Sequence, residues 1–320
     1  MKEDPRSPFV RYLTAKRTVD DRGLNRPVLD ALRRHLEGSR SDRPLRVLEL
    51  GAGNSTMAAR LVDWKVIAGR VEYVAIDSDA AAVADGAAAV PRWAEALGLR
   101  IGASAPSGAA ARVRVIGDQV DLSMELVHGE LSGFEPAGAA FDLIVANQFL
   151  DLVDVPSLLP RLWGWARPEA AFWFTSNYDG ATILEPAIDA ELERRVFAIY
   201  HRTMDERVIA GLPSGDSQCG RHLFGNLPAS GATILAAGAS DSVVHPVGAR
   251  YAGDEAVFLH HILDLIDGEV GAHPDLDAAA YAAWLSARRA QVDAAELSYV
   301  ARQLDFFGLT PARDSRLIQA

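Results

Sequence analysis

Short, nearly unbroken apolar runs alternate with helical spacings over the first 180 residues. The run PLRVLEL (44–50) predicts a buried strand, and STMAARLVDW after it a helix. VEYVAID (71–77) predicts a second strand, apolar and β-branched enough for a parallel sheet covered on both faces. Residues 79–98 are alanine-rich and helical, and GASAPSGAAA (102–111) predicts a loop. VRVIG and MELVHGEL predict a third strand region, with an extra strand or hairpin before the main one. FDLIVANQ (141–148) and AAFWFTSNYDG (170–180) predict a fourth and a fifth strand, separated by the proline-edged helix VPSLLPRLWGWARP. Strand and helix alternating at this pace imply right-handed βαβ units and a parallel sheet.

Both flanks break the rhythm. Upstream, Val28, Leu29, Leu32 and Leu36 recur at helical spacing up to Gly38, behind a polar stretch from Tyr12 to Asn25. Residues 1–40 therefore form a helical arm, either solvated or closing over a substrate site as a lid. Downstream, residues 187–210 are helical, GLPSGDSQCGRH is a glycine-rich loop, and ATILAAGASDSVVHPV predicts two short strands around Ser240-Asp241. From Asp254 the pattern is mostly helical, with Leu285, Val292, Ala295 and Tyr299 on one face.

Composition narrows the class. At 320 residues, 49% hydrophobic and 23% charged, the chain can build a large core without staples. Its single cysteine, Cys219, excludes an internal disulfide and a cysteine-based zinc site, and no paired-histidine spacing suggests another metal. The N-terminal segment lacks an apolar signal core and no apolar run is long enough for a membrane span, so a cytoplasmic protein without a membrane partner is expected. A net charge of −11, with only Lys2, Lys16 and Lys65 as lysines, argues against a nucleic-acid partner.

The chemistry is concentrated in Glu49-Leu50-Gly51-Ala52-Gly53-Asn54-Ser55. A strand ends beside an acid, turns on two glycines that allow close backbone approach, and opens a helix. Asp77 closes the next strand, where a carboxylate can accept from both hydroxyls of a ribose. The third glycine of a dinucleotide fingerprint is replaced by Thr56, and no P-loop is present. Glu49 suggests a cationic neighbour, so a sulfonium amino acid joined to adenosine satisfies the pattern.

In these residues the sequence resembles the class I S-adenosylmethionine-dependent methyltransferases, over roughly residues 40–180. The resemblance implies a Rossmann-like α/β three-layer sandwich with a mostly parallel seven-stranded sheet. Residues 41–180 would be the cofactor-binding core, and 181–320 would complete the sheet and add acceptor-binding helices. It implies S-adenosylmethionine as cofactor, with Glu49, Gly51, Ala52, Gly53, Asn54 and Ser55 along its methionine part. Asp77 would hold the ribose, Ser78 would lie beside the adenine, and Glu130 and Leu131 would meet the adenine edge, with Asp118 competing for the third acidic position. Asn147 would sit near the methyl group. The N-P-P-[YF] signature of amino-methylating nucleic-acid enzymes is absent; ANQF stands there.

Methyl transfer needs a nucleophile held in line and, for nitrogen or oxygen, a base. His201, His260 and Tyr178 are the candidate catalytic groups. Tyr12, Arg17, Asp151, Asp179, Arg202, Arg207, Asp216 and Arg221 are candidates for acceptor binding. His260 and its neighbour His261 point about 100° apart on a helix, so they cannot share a pocket. A small-molecule acceptor methylated on O or N is expected. A peptide or protein carboxylate held by Arg17, Arg202, Arg207 and Arg221, or a relative that has lost catalysis, is the alternative.

Overall fold

The computed structural model describes residues 6–39, 42–102, 111–136, 140–209 and 211–312. The arm is α1 (Pro8–Ala15), α2 (Arg17–Gly23) and α3 (Arg26–Gly38). Ser7 accepts from the Val10 N–H to start α1, and Asn25 accepts from Val28 to start α3. Then come β1 (Leu45–Leu50), α4 (Thr56–Asp63), β2 (Gly69–Asp77), α5 (Ala80–Ala96), β3 (Arg100–Gly102), β4 (Ala111–Ile116), β5 (Val120–His128), β6 (Phe141–Asn147), α6 (Val155–Trp165) and β7 (Ala166–Glu185). The C-terminal part holds α7 (Ala190–Asp205), β8 (Val208–Ile209), β9 (Leu212–Pro213), α8 (Cys219–Ala229), β10 (Thr233–Ala239), β11 (Ser242–Val244), α9 (Glu255–Val270), α10 (Ala278–Asp293) and β12 (Ser298–Leu309).

Among the described residues the main sheet has ten strands in the order β10-β12-β7-β6-β1-β2-β5-β4-β3, with β11 paired to β12. The five strands β7, β6, β1, β2 and β5 run parallel; β12 pairs antiparallel with β7, and β10 pairs antiparallel with β12. This is the expected Rossmann-like sandwich, with three strands beyond the expected seven. Two of them, β3 and β4, form the anticipated antiparallel addition before β5. The loop expected at 102–111 falls almost wholly outside the described residues.

Alternation along each parallel strand feeds two cores. Val47, Tyr73 and Ala75 pack with Leu29 and Leu32 of α3, Leu61 of α4 and Val90 of α5. Leu48, Leu50 and Ile76 pack with Leu158 and Leu162 of α6 and Leu223 and Leu227 of α8. A third core joins the far ends of β7 and β12 to α1, α7, α9 and α10 through Ala15, Tyr178, Val196, Leu263, Trp284 and Tyr299. No helix among the described residues is long and apolar enough to cross a membrane.

The expected helical face joining Leu285 to Tyr299 is corrected. The helix α10 ends at Asp293, and Tyr299 belongs to β12, which lies between β10 and β7 in the sheet. Inward positions of β12 carry Gln303 (9% exposed) and Asp305 (0%), which disguise its strand pattern. Asp305 is used structurally: it accepts from the Ser176 N–H at 2.7 Å and the Asn25 N–H at 2.8 Å.

Candidate active site

The order of strands reverses between β1 and β6, the switch point at whose carboxyl ends open α/β sheets place their ligands. The glycine bend occupies that rim. Gly51 and Gly53 sit at φ +58° and +51°, which a side-chain-bearing residue adopts only under strain. Ala52 N–H donates to the Ile76 carbonyl at 3.0 Å, tying the bend to β2. Asp77 takes the Gly53 N–H on Oδ2 (2.7 Å) and the Asp79 N–H on Oδ1 (2.8 Å). Each oxygen keeps acceptor capacity beyond that one bond, and Asp77 is only half-buried. Ser78 and Glu130 are exposed beside it, and Leu131 is half-buried in a 3-10 turn. Glu130 follows β5 on this rim, whereas Asp118 lies in the β4–β5 turn at the opposite end. That position removes Asp118 from the candidates.

Glu49 is 2% exposed and accepts from the Tyr73 hydroxyl at 2.8 Å. Burial pushes its carboxyl up to about 8, against the opposing pull of Tyr73 and Arg60. Asn147 accepts from Thr175 Oγ1 at 2.8 Å. Next to it Gln148, at φ +51°, is a backbone outlier of the kind that clusters at functional rims.

The arm is docked across this rim. An ideal Cβ on Gly53 would lie 3.0 Å from Leu13, and one on Gly51 would lie 2.4 Å from the Phe149 ring. Lys16, 6% exposed, donates to Gln148 Oε1 and pairs with Asp20 at 3.4 Å. Gln148 in turn donates to Asp20 at 3.0 Å, and Arg60, 2% exposed, pairs with Asp20 and Asp21 at 3.5 and 2.5 Å. Arg22 and Thr18 fix α2 to Glu255 of α9 at 2.6 and 2.8 Å. Sequence reasoning missed Lys16 as a site residue. Its one available signal was the rarity of lysine in the chain.

The acceptor candidates divide. Tyr178 bonds His201 Nε2 at 2.9 Å, and burial lowers the pKa of that histidine. His260 instead pairs with Asp293 at 2.9 Å, away from the other two catalytic candidates. Its neighbour His261 faces inward, stacked on Tyr12 with ring centroids 4.2 Å apart. Three arginines are committed elsewhere: Arg17 to Asp21 (3.8 Å), Arg202 to Asp275 (2.9 Å) and Arg221 to Asp179 (2.7 Å). They do not converge on an anion. Asp216 binds His222 at 2.7 Å, while its N–H reaches the Asp151 carbonyl at 3.2 Å.

No protein-family model matches the chain, and no curated protein does. Solved structures resembling it include an S-adenosylmethionine-dependent methyltransferase from Thiobacillus denitrificans in complex with S-adenosylhomocysteine. That pair shares 16% identity over 95% of this chain and 99% of the other, with a TM-score of 0.46. A second such enzyme, from Geobacter sulfurreducens, gives 16% identity, 97% and 100% coverage and a TM-score of 0.43. The [4+2]-cyclase SpnF gives 15% identity, 89% and 81% coverage and a TM-score of 0.40. These likenesses are distant, and the fold class rests on the strand order itself.

Proposed function

We propose that the chain is an S-adenosylmethionine-dependent methyltransferase acting on an oxygen or nitrogen of a small acceptor. One observation carries this reading: the glycine bend lies at the sheet's switch point with Asp77 anchored against it. The residues present fit the adenosine half of the cofactor as they stand. Asp77 has acceptor capacity left for ribose hydroxyls, and beside it Ser78 and Glu130 are exposed and Leu131 is half-buried. The methionine half would meet Gly53, Asn54 and Ser55, all buried, and Gly53 lies under Leu13 of α1, so α1 must shift for it to enter.

When bound, the cofactor supplies a methyl group already activated on sulfur. The protein's part is to bind, to orient and to exclude water. Asp77 would hold the ribose, Glu49 would place a carboxyl beneath the bend, and Asn147 would border the methyl. Closure of α1, with Lys16 on Gln148, would keep water from the reacting centre.

A second reading, a relative that keeps the fold without catalysis, is favoured by the packing of Leu13 and Phe149 on the two glycines. Calorimetric titration separates the two. The methyltransferase reading expects saturable binding of S-adenosylmethionine, and of methylthioadenosine as its adenosine half. Absence of binding by both at millimolar concentration ends that reading.

A further inference from the structure

The glycine bend is covered twice, by Leu13 of α1 over Gly53 and by the Phe149 ring over Gly51. The covers belong to different elements, and one residue is tied to both. Gln148 spends both ends of its amide on the arm: Oε1 accepts from Lys16, and Nε2 donates to Asp20 at 3.0 Å. Its backbone leads directly into Phe149. The Gln148 N–H donates to the Thr175 carbonyl at 3.0 Å, so the end of β6 is anchored up to that atom. Beyond Phe149 the chain is fixed again, because Leu150 is fully buried. Only the dihedrals between these two points carry the ring that lies on Gly51. Gln148 itself stands at φ +51°, where its Cβ crowds the backbone and glycine alone is at ease. The two bonds to the arm hold it in that costly conformation.

The arm has one place to bend. The second helix, α2, is clamped: Arg60 of α4 pairs with Asp20 and Asp21 at 3.5 and 2.5 Å. Thr18 and Arg22 reach Glu255 of α9 at 2.8 and 2.6 Å. By contrast, α1 is seated through Leu13 on Gly53 and through Tyr12, whose ring centroid lies 4.2 Å from His261 and 5.8 Å from Phe258. Lys16 is the single residue between the two helices. Leu13 and Lys16 are about one helical turn apart, so lifting α1 at that joint draws both from the rim in one motion. Gln148 is then left with Asp20 alone.

We propose that Gln148 couples the two covers, so that Phe149 leaves Gly51 when α1 leaves Gly53. With Lys16 withdrawn, the strained backbone relaxes out of the left-handed region and carries the Phe149 ring aside. Gln148 is thus a positioning residue, acting on the bend through the ring that follows it. That the opened bend receives a cofactor rests on the methyltransferase reading. The coupling is a property of the chain alone and its test uses no ligand, so failure of one leaves the other standing.

Hydrogen exchange read by mass spectrometry follows α1 in the full chain. Fluorine NMR of the chain carrying para-fluorophenylalanine in place of Phe149 follows the ring. Gln148→Ala and Gln148→Gly both remove the amide, but only the alanine is strained at φ +51°. Both should speed exchange across α1 by about tenfold, the scale of a lost charged hydrogen bond. The fluorine resonance should move toward its solvent-exposed position in Gln148→Ala and keep its parent position in Gln148→Gly. Lys16→Met cuts the latch from the arm side. It should move the resonance in the parent and leave it still when combined with Gln148→Gly. Circular dichroism melts confirm that each variant is folded, and the Lys16 and Gln148 changes test the latch from opposite sides if either fails to fold. Exchange across α1 that is unchanged in Gln148→Gly means there is no latch and overturns the proposal. So does a resonance that stays put in both Gln148→Ala and Lys16→Met, which makes the covers independent. A Lys16→Met shift that persists with Gln148→Gly overturns it too, because the coupling then bypasses Gln148.

Discussion

Replacing Glu49 by glutamine isolates the cost of ionising a carboxyl inside the core. The side chain is 2% exposed, and burial moves its pKa from 4.5 up to about 8 despite the Tyr73 hydroxyl and the Arg60 charge. An acid whose pKa is raised by folding contributes stability that is fully present below its unfolded pKa. That stability is lost as pH rises through the folded value, here between 4.5 and about 8. From about pH 5 to about pH 9 the loss through Glu49 alone is ~4 kcal/mol. Glutamine still accepts from Tyr73 and does not titrate. The melting temperature of Glu49→Gln should therefore gain on the parent as pH rises, by roughly 5–10 °C at the alkaline end. Circular dichroism melts at fixed ionic strength across that pH range read the gap. A gap that stays flat, or that narrows with rising pH, refutes the account of a carboxyl held neutral by burial.

Asp77→Ala should weaken both S-adenosylmethionine and methylthioadenosine by about 1–3 kcal/mol in calorimetry, because it removes the acceptor proposed for the ribose. Unchanged affinity would mean that the second strand's acid is misassigned. Gly51→Val forces a branched residue to φ +58° and into the Phe149 ring. It should cost about 2–6 kcal/mol in denaturant unfolding and abolish cofactor binding. Arg288 is fully buried on Glu193, the Pro186 carbonyl and Gln291. Arg288→Ala should lose about 3–5 kcal/mol by the same assay, and a loss under about 1 kcal/mol would show that the pair is not structural.

The sheet's centre was legible in the sequence because its strands are continuous apolar runs with few competing readings. β1, β2 and β6 follow PLRVLEL, VEYVAID and FDLIVANQ closely, and the bend and Asp77 sit where the motif puts them. β12 was not legible, because buried Gln303 and Asp305 satisfy backbone and side-chain partners far away in sequence. No local pattern announces such partners. The arm's contacts were hidden for the same reason: Lys16 meets Gln148 across 132 residues of chain. The choice between His260 and His261 depends on how α9 is rotated against α1, which helical spacing alone leaves open. The arginines read as a set because of their charge, yet Arg202 and Arg221 are neutralised by Asp275 and Asp179, which only packing brings near.

The central claim is that the bend between β1 and β6 cradles a sulfonium nucleoside once α1 lifts. A crystal structure of the chain with S-adenosylhomocysteine tests it most directly. The account predicts ligand density along Gly51 to Ser55, ribose hydroxyls on the Asp77 carboxylate, and Leu13 displaced from Gly53. Ligand bound elsewhere, or a saturated crystal in which Leu13 and Phe149 still cover the two glycines, would contradict it.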